Sequence, residues 1–185
     1  MNFRSTSGLD TYVDKAGLAV RRASHDLCPM RDRNARSAGI LLHRLRDGVR
    51  EVLLIHPGGP FWERRDAGAW QLPKGGVEDG EEPLDAALRE FTEELGSVAS
   101  GVPVPLGTIR QSGGKRVDAF ALAGDLDADG IVSNRFEMEW PPRTGLTQSF
   151  PEVDRAEWFS LPRARQMMLE SQLPLLDRLE ELLAE

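Results

Sequence analysis

Residues 75–96, GGVEDGEEPLDAALREFTEELG, decide the fold. At about 100° per residue, Leu84, Ala87, Leu88, Phe91 and Leu95 fall within an arc of roughly 100°, a helical face made for a core. Pro83 suits the first helical position, Glu81, Glu82 and Asp85 complement the positive end of the dipole, and Gly96 stops the helix. On another side of the same wheel Glu90, Glu93 and Glu94 also share an arc of about 100°, with Arg89 beside Glu93. Like charges three and four residues apart repel on a helix, so a cation bound there would turn repulsion into attraction. Taken alone, such a face is ordinary solvated surface.

Outward from this stretch the chain alternates strand and turn signals. GILLHRL from Gly39 and EVLLIHP from Glu51 flank Asp47-Gly48 and predict a hairpin. Pro57, Gly58, Gly59 and Pro60 break it, and a short Trp70-Gln71-Leu72 run leads into a turn at Pro73-Lys74-Gly75-Gly76. After the helix, VPLGTIRQ and KRVDAFALA around Ser112-Gly113-Gly114 predict a second strand pair. A third run from Arg135 to Trp140 is halted by Pro141-Pro142, and residues 155–160 form a short strand candidate. Leu175, Leu176, Leu179, Leu182 and Leu183 then give a C-terminal helix an apolar stripe for the core.

The 185 residues are 40% hydrophobic and 29% charged, which suits one globular domain plus a tail. Residues 1–37 hold seven basic and four acidic residues against 16 and 26 in the rest. With weak apolar periodicity, the tail is expected to be partly disordered, and residues 38–185 to form the domain. A net charge of −7 argues against a general nucleic-acid binder. No apolar run is long enough to span a membrane or serve as a signal peptide, so the chain is expected to be cytoplasmic. The single Cys28 excludes an internal disulfide, and His25, His43 and His56 lack zinc-type pairing and read as ordinary structural or surface residues. A metal would be held mainly by oxygen.

The spacing of Gly75, five residues, Glu81, seven residues, then Arg89-Glu90-Phe91-Thr92-Glu93-Glu94-Leu95-Gly96 resembles the signature of the Nudix hydrolase family. Seven fixed positions at roughly one chance in fifteen each, over 185 starting points, arise by accident with a probability on the order of 10⁻⁶. One position departs: Ser97 stands where the family usually carries a bulky aliphatic residue, and Val98 is expected to fill that space. The stretches HPGGPFW, EMEWPP and FPEVDRAEWF are similar to a bacterial subgroup labelled as nucleoside triphosphate pyrophosphohydrolases. The resemblance covers residues 38–185 and implies an α/β (α+β) fold, an αβα sandwich with a mixed sheet between helices.

The resemblance also implies chemistry. Members cleave nucleoside diphosphates linked to another group, using Mg²⁺ or Mn²⁺; divalent ions held by carboxylates invert the local charge and clamp phosphate oxygens while water attacks phosphorus. Glu90 and Glu94 are the implied ligands, with Glu93, directly or through water, and the Gly75 carbonyl. Arg89 is expected to orient the carboxylates, including Glu81. The general base comes either from the box helix, where Glu93 or Glu90 would serve twice, or from a later loop, where Glu152 ranks above Glu139. Lys74 is the candidate phosphate contact, and Trp70 and Trp140 are candidate base-stacking platforms among aromatics that include Phe61, Trp62 and Phe136.

The expected substrate is a small nucleotide: a nucleoside triphosphate or related nucleoside diphosphate-X. The alternative is a dinucleoside polyphosphate, although the stacking tyrosine usual after the box is missing, the only tyrosine being Tyr12. An ADP-sugar substrate is weaker, because Gln111, Ser112 and Gly113 stand where that branch carries a proline. A nucleotide-binding module without catalysis would not need all of Glu90, Glu93 and Glu94. Family members are often dimers, so a homodimer is among the expected assemblies.

Overall fold

The computed structural model describes residues 11–13, 19–22, 36–111 and 114–184. In chain order come strands β1 (Thr11–Val13) and β2 (Ala19–Arg22), a hairpin of β3 (Arg36–Arg46) and β4 (Val49–Pro57), and β5 (Lys74–Gly76). Helix α1 (Pro83–Leu95) is followed by β6 (Val104–Arg110) and β7 (Arg116–Ala123), then β8 (Arg135–Glu139), β9 (Thr147–Pro151) and β10 (Val153–Ser160). Helices α2 (Leu161–Met167) and α3 (Pro174–Leu182) end the described chain.

Because β3 is buried on both faces from Ser37 to Leu42, it runs through the middle of the sheet. The main sheet has the order β10-β4-β3-β7-β6, with β5 joined to β3. It is mixed: β3 pairs antiparallel with β4 and parallel with β7. On one face Ala38, Ile40, Leu42, Leu53 and Ile55 pack against Ala86, Ala87, Phe91 and Leu95 of α1. On the other, Leu41, Val52, Leu54 and Trp70 meet Leu161, Ala164 and Met167 of α2 and Leu175, Leu176 and Leu179 of α3. This is the αβα sandwich, with alternate residues of one strand feeding two cores.

The first hairpin turns at Asp47 and Gly48, φ 50° and 78°, the doubly left-handed geometry that matches strand twist. Towards Arg36 its strands splay, and residues 71–76 wedge into the gap. The Ile55 amide donates to the Gln71 carbonyl at 2.8 Å, the Gln71 amide donates back at 3.0 Å, and Gly39 faces Lys74 in register. Residues 74–76, expected as a turn, are therefore a strand. That wedge brings the Gly75 backbone under α1.

Helix α1 has the expected bounds, opening at Pro83 and ending on Gly96 at φ 68°. Ala87, Phe91 and Leu95 are buried, Ala86 joins them, and Leu84 and Leu88 are half-buried. The space beside Ser97 is not filled by Val98, which is 78% exposed. Ala128 and Ile131 pack against the α1 core instead, and the amides of Val132 and Asn134 donate to the Leu95 and Glu93 carbonyls at 3.3 and 3.2 Å.

A small second sheet has the order β1-β2-β8-β9. The run predicted from Arg135 pairs here rather than in the main sheet. Its partner β9 went unforeseen because Thr147, Gln148 and Ser149 are polar and exposed. Strands β1, which contains Tyr12, and β2 come from the segment expected as a tail; its remaining residues up to 35, with His25 and Cys28, lie outside the described ones, as do Ser112 and Gly113. The domain boundary expected at residue 38 falls inside β3, which starts at Arg36. At the edge strand β6, the Arg178 guanidinium of α3 donates to the Leu106 and Thr108 carbonyls at 2.9 and 3.2 Å.

Trp70 is a core residue, 1% exposed, edge-on to Phe159 at 4.8 Å with its Nε1–H donating to Asp66 at 2.9 Å. Trp70→Ala should cost about 3–5 kcal/mol of unfolding free energy in chemical denaturation, the usual loss for a large aromatic removed from a packed core.

Candidate active site

The three glutamates predicted on one helical face do not share one environment. Glu90 and Glu94 are buried, 6% and 9% exposed, while the Glu93 side chain is 24% exposed. Burial of two carboxylates one turn apart overturns the reading of a solvated acidic face. The backbone of β5 lies against them: a Cβ on Gly75 would sit 1.9 Å from the Glu90 carboxyl carbon, so only glycine fits. The Lys74 amide donates to Oε2 of Glu94 at 2.8 Å.

Arg89 organises the rest. Its Nε and Nη2 donate to the two Glu81 carboxylate oxygens at 2.9 Å each, a bidentate fork. Its Nη1 donates to Oε1 of Glu90 at 2.7 Å and, more weakly, to Glu93 at 3.4 Å, while Nη2 also reaches the Gly76 carbonyl at 2.8 Å. One side chain thus ties the acidic loop, β5 and α1 together. Arg89 holds the Glu81 carboxyl down at about 2. Burial pushes Glu94 up to about 8, with Glu90 and Glu152 adding repulsion against the pull of Lys74. Burial likewise pushes the Lys74 ammonium down, Glu94 and Glu90 opposing and Lys115 assisting.

That coupling puts Glu152 within electrostatic reach of Glu94. Glu152 stands between β9 and β10; its amide donates to the Asn134 carbonyl at 2.8 Å, and its carbonyl accepts from the Gly58 amide at 2.9 Å. Glu139 is elsewhere, at the outer end of β8, where its Oε1 accepts from the Gly145 amide at 2.8 Å. Trp70, a candidate platform in the sequence, offers no ring face to a ligand because both faces are packed. Trp140 is half-buried and meets Phe61 edge-to-face at 5.4 Å; Phe61 is 61% exposed. Sequence reasoning had not paired these two rings, since the loop that brings Phe61 to the tip of the small sheet leaves no periodic signal.

Among the described residues, no three His, Cys, Asp or Glu side chains form a ready metal cage. The residues nevertheless suit a hard divalent cation. Two adjacent buried carboxylates are each gripped through one oxygen, Glu90 by Arg89 and Glu94 by the Lys74 amide, and a bare glycine backbone lies against them. Two clefts of about 450 and 780 Å³, lined by Arg44, Arg46 and Asp125, open at the far end of β3, away from these carboxylates.

Gly75→Ala should weaken Mn²⁺ binding at least about tenfold in calorimetric titration, as loss of a ligand-positioning group does, whereas Gly76→Ala, with nothing within 4 Å of its new Cβ, should not. The Glu81 carboxyl, lowered from 4.5 to about 2, adds stability above its unfolded value that is lost as pH falls. The stability gap between wild type and Glu81→Gln in urea should therefore be full at neutral pH and shrink between about pH 4.5 and 2.

The NUDIX domain family matches residues 33–179. Nudix hydrolase 25 of Arabidopsis thaliana is 57% identical over 35 residues, 19% of this chain and 20% of that protein. An RNA pyrophosphohydrolase of Francisella tularensis is 48% identical over 52 residues, 28% of this chain and 34% of its own length. The chain thus spans about a third or less of these curated relatives. An Ap4A hydrolase of C. elegans, solved as a binary complex, aligns with a TM-score of 0.57 at 22% identity over 80% of this chain and 98% of that one, a likeness of fold. With a box whose glycine, arginine and glutamates meet as described, and a family match over most of its length, the chain belongs to the Nudix hydrolase family.

Proposed function

We propose that the protein is a Mg²⁺- or Mn²⁺-dependent pyrophosphohydrolase that cleaves a diphosphate linkage in a nucleoside triphosphate or related nucleoside diphosphate-X by attack of water on phosphorus. The observation that carries this reading is the Gly75 backbone against two buried carboxylates, Glu90 and Glu94, clamped by Arg89. Glu90, Glu94, Glu93 and the Gly75 carbonyl would hold the cation, which supplies charge neutralisation and Lewis-acid polarisation of phosphate oxygens.

Glu152 takes the proton from the attacking water, a role supported by its electrostatic contact with Glu94 across the site. Glu139 ranks below it because that carboxylate is engaged by the Gly145 amide. Lys74 neutralises substrate phosphate, and Trp140 with Phe61 offers ring faces to a base. A second reading, the triphosphate end of an RNA, is favoured by the 48% identity to the Francisella enzyme across 52 residues. A dinucleoside polyphosphate is the remaining alternative.

The test is a panel of nucleoside triphosphates, diadenosine polyphosphates, ADP-ribose, nucleotide sugars and 5′-triphosphate RNA, each with Mg²⁺, with Mn²⁺ and with chelator. Turnover should require a divalent ion and release pyrophosphate and a monophosphate from the preferred triphosphate; no turnover of any member refutes the reading. Glu90→Gln and Glu94→Gln should each lower turnover at least about 10²-fold, and Glu152→Gln by about 10² to 10⁴ with metal affinity retained. Glu139→Gln should stay near wild type, and a large loss there with none at Glu152 would reverse the base assignment.

A further inference from the structure

His56, the last residue but one of β4, is fully buried, 0% exposed. Its Nδ1 lies 2.8 Å from an Asp154 carboxylate oxygen and its Nε2 lies 2.6 Å from the Arg65 carbonyl. Both ring nitrogens are thus engaged by partners on opposite edges, and the ring cannot turn without losing a contact. Arg155 Nε, 3.8 Å from the same carboxylate, is the more distant partner.

Asp154 reaches this ring because β10 carries an extra residue: Val153 faces Pro57 and Arg155 faces His56, leaving Asp154 out of register. Such a bulge re-aims a side chain, and this one lies two residues after Glu152. The other flank of Glu152 is equally constrained. Its carbonyl accepts from Gly58, two residues after His56, and a Cβ on Gly58 would sit 2.0 Å from the Pro151 carbonyl oxygen. Its amide donates to Asn134, whose own amide donates to the Glu93 carbonyl of α1.

We propose that His56 and Asp154 are positioning residues: the buried ring, held at both nitrogens, and the carboxylate on the bulge lock the segment around Glu152 onto β4 and hold its carboxylate against α1. This rests on Glu152 being the general base. A displacement of about 1 Å in such a group costs roughly 10² in rate, which gives the lock a catalytic purpose.

The experiment combines kinetics with amide hydrogen exchange on the full chain. Asp154→Ala should lower kcat about 10- to 100-fold with KM within about threefold, as loss of an outer-shell partner does, and Asp154→Asn should recover most of it. In a Glu152→Gln background Asp154→Ala should add less than about twofold, since both act through one group. Exchange protection of the Glu152 and Gly58 amides should fall about tenfold while that of Ile40 holds, a local opening. Asp154→Ser, closer in size, serves if the alanine variant does not fold. Unchanged kcat and exchange in Asp154→Ala, beside a crippled Glu152→Gln, overturn this proposal alone, as does an equal loss in both backgrounds. Full turnover by Glu152→Gln removes the base assignment and this proposal together.

Discussion

No side-chain carbon fits between the backbone at Gly75 and the carboxylate of Glu90, and the surrounding architecture serves that approach. The first hairpin splays so that residues 71–76 can enter between β3 and β4, which places β5 in the sheet rather than over it. Helix α1 crosses this point on small residues, Ala86 and Ala87, both at 0% exposure, so its acidic side comes down on β5. Arg89 then fastens the intervening loop through Glu81 and the Gly76 carbonyl.

Such a site is electrostatically costly in the free protein. Two carboxylates one turn apart are withdrawn from water, and the rise of Glu94 to about 8 records that penalty. The Arg89 guanidinium and the Lys74 amide offset part of it with charge-assisted hydrogen bonds, without surrounding either carboxylate.

Much of this was legible in the sequence, for physical reasons. Helix α1 announced both ends, because Pro83 and Gly96 act locally, and β3 announced itself through an apolar run that only a doubly covered strand tolerates. The residues of the family signature were legible through spacing. Burial of Glu90 and Glu94 was not, since it depends on β5 arriving from the opposite side of the chain's path. Trp70 misled as a ligand platform because an indole looks the same in a core and in a pocket. Strand β9, with its polar outer half, and the lock of His56 by Asp154 and Arg65 are tertiary facts: a one-residue bulge and contacts 98 and nine residues apart leave no local pattern.

Strand β6 ends the main sheet, and an edge strand ordinarily offers its free carbonyls to any extended chain that passes. Arg178 occupies two of them, at Leu106 and Thr108, from a helix that is itself anchored by buried leucines. An incoming strand would have to evict a guanidinium and leave it beside the new backbone. The C-terminal helix therefore covers part of this edge, withdrawing two of the carbonyls that a passing strand would use.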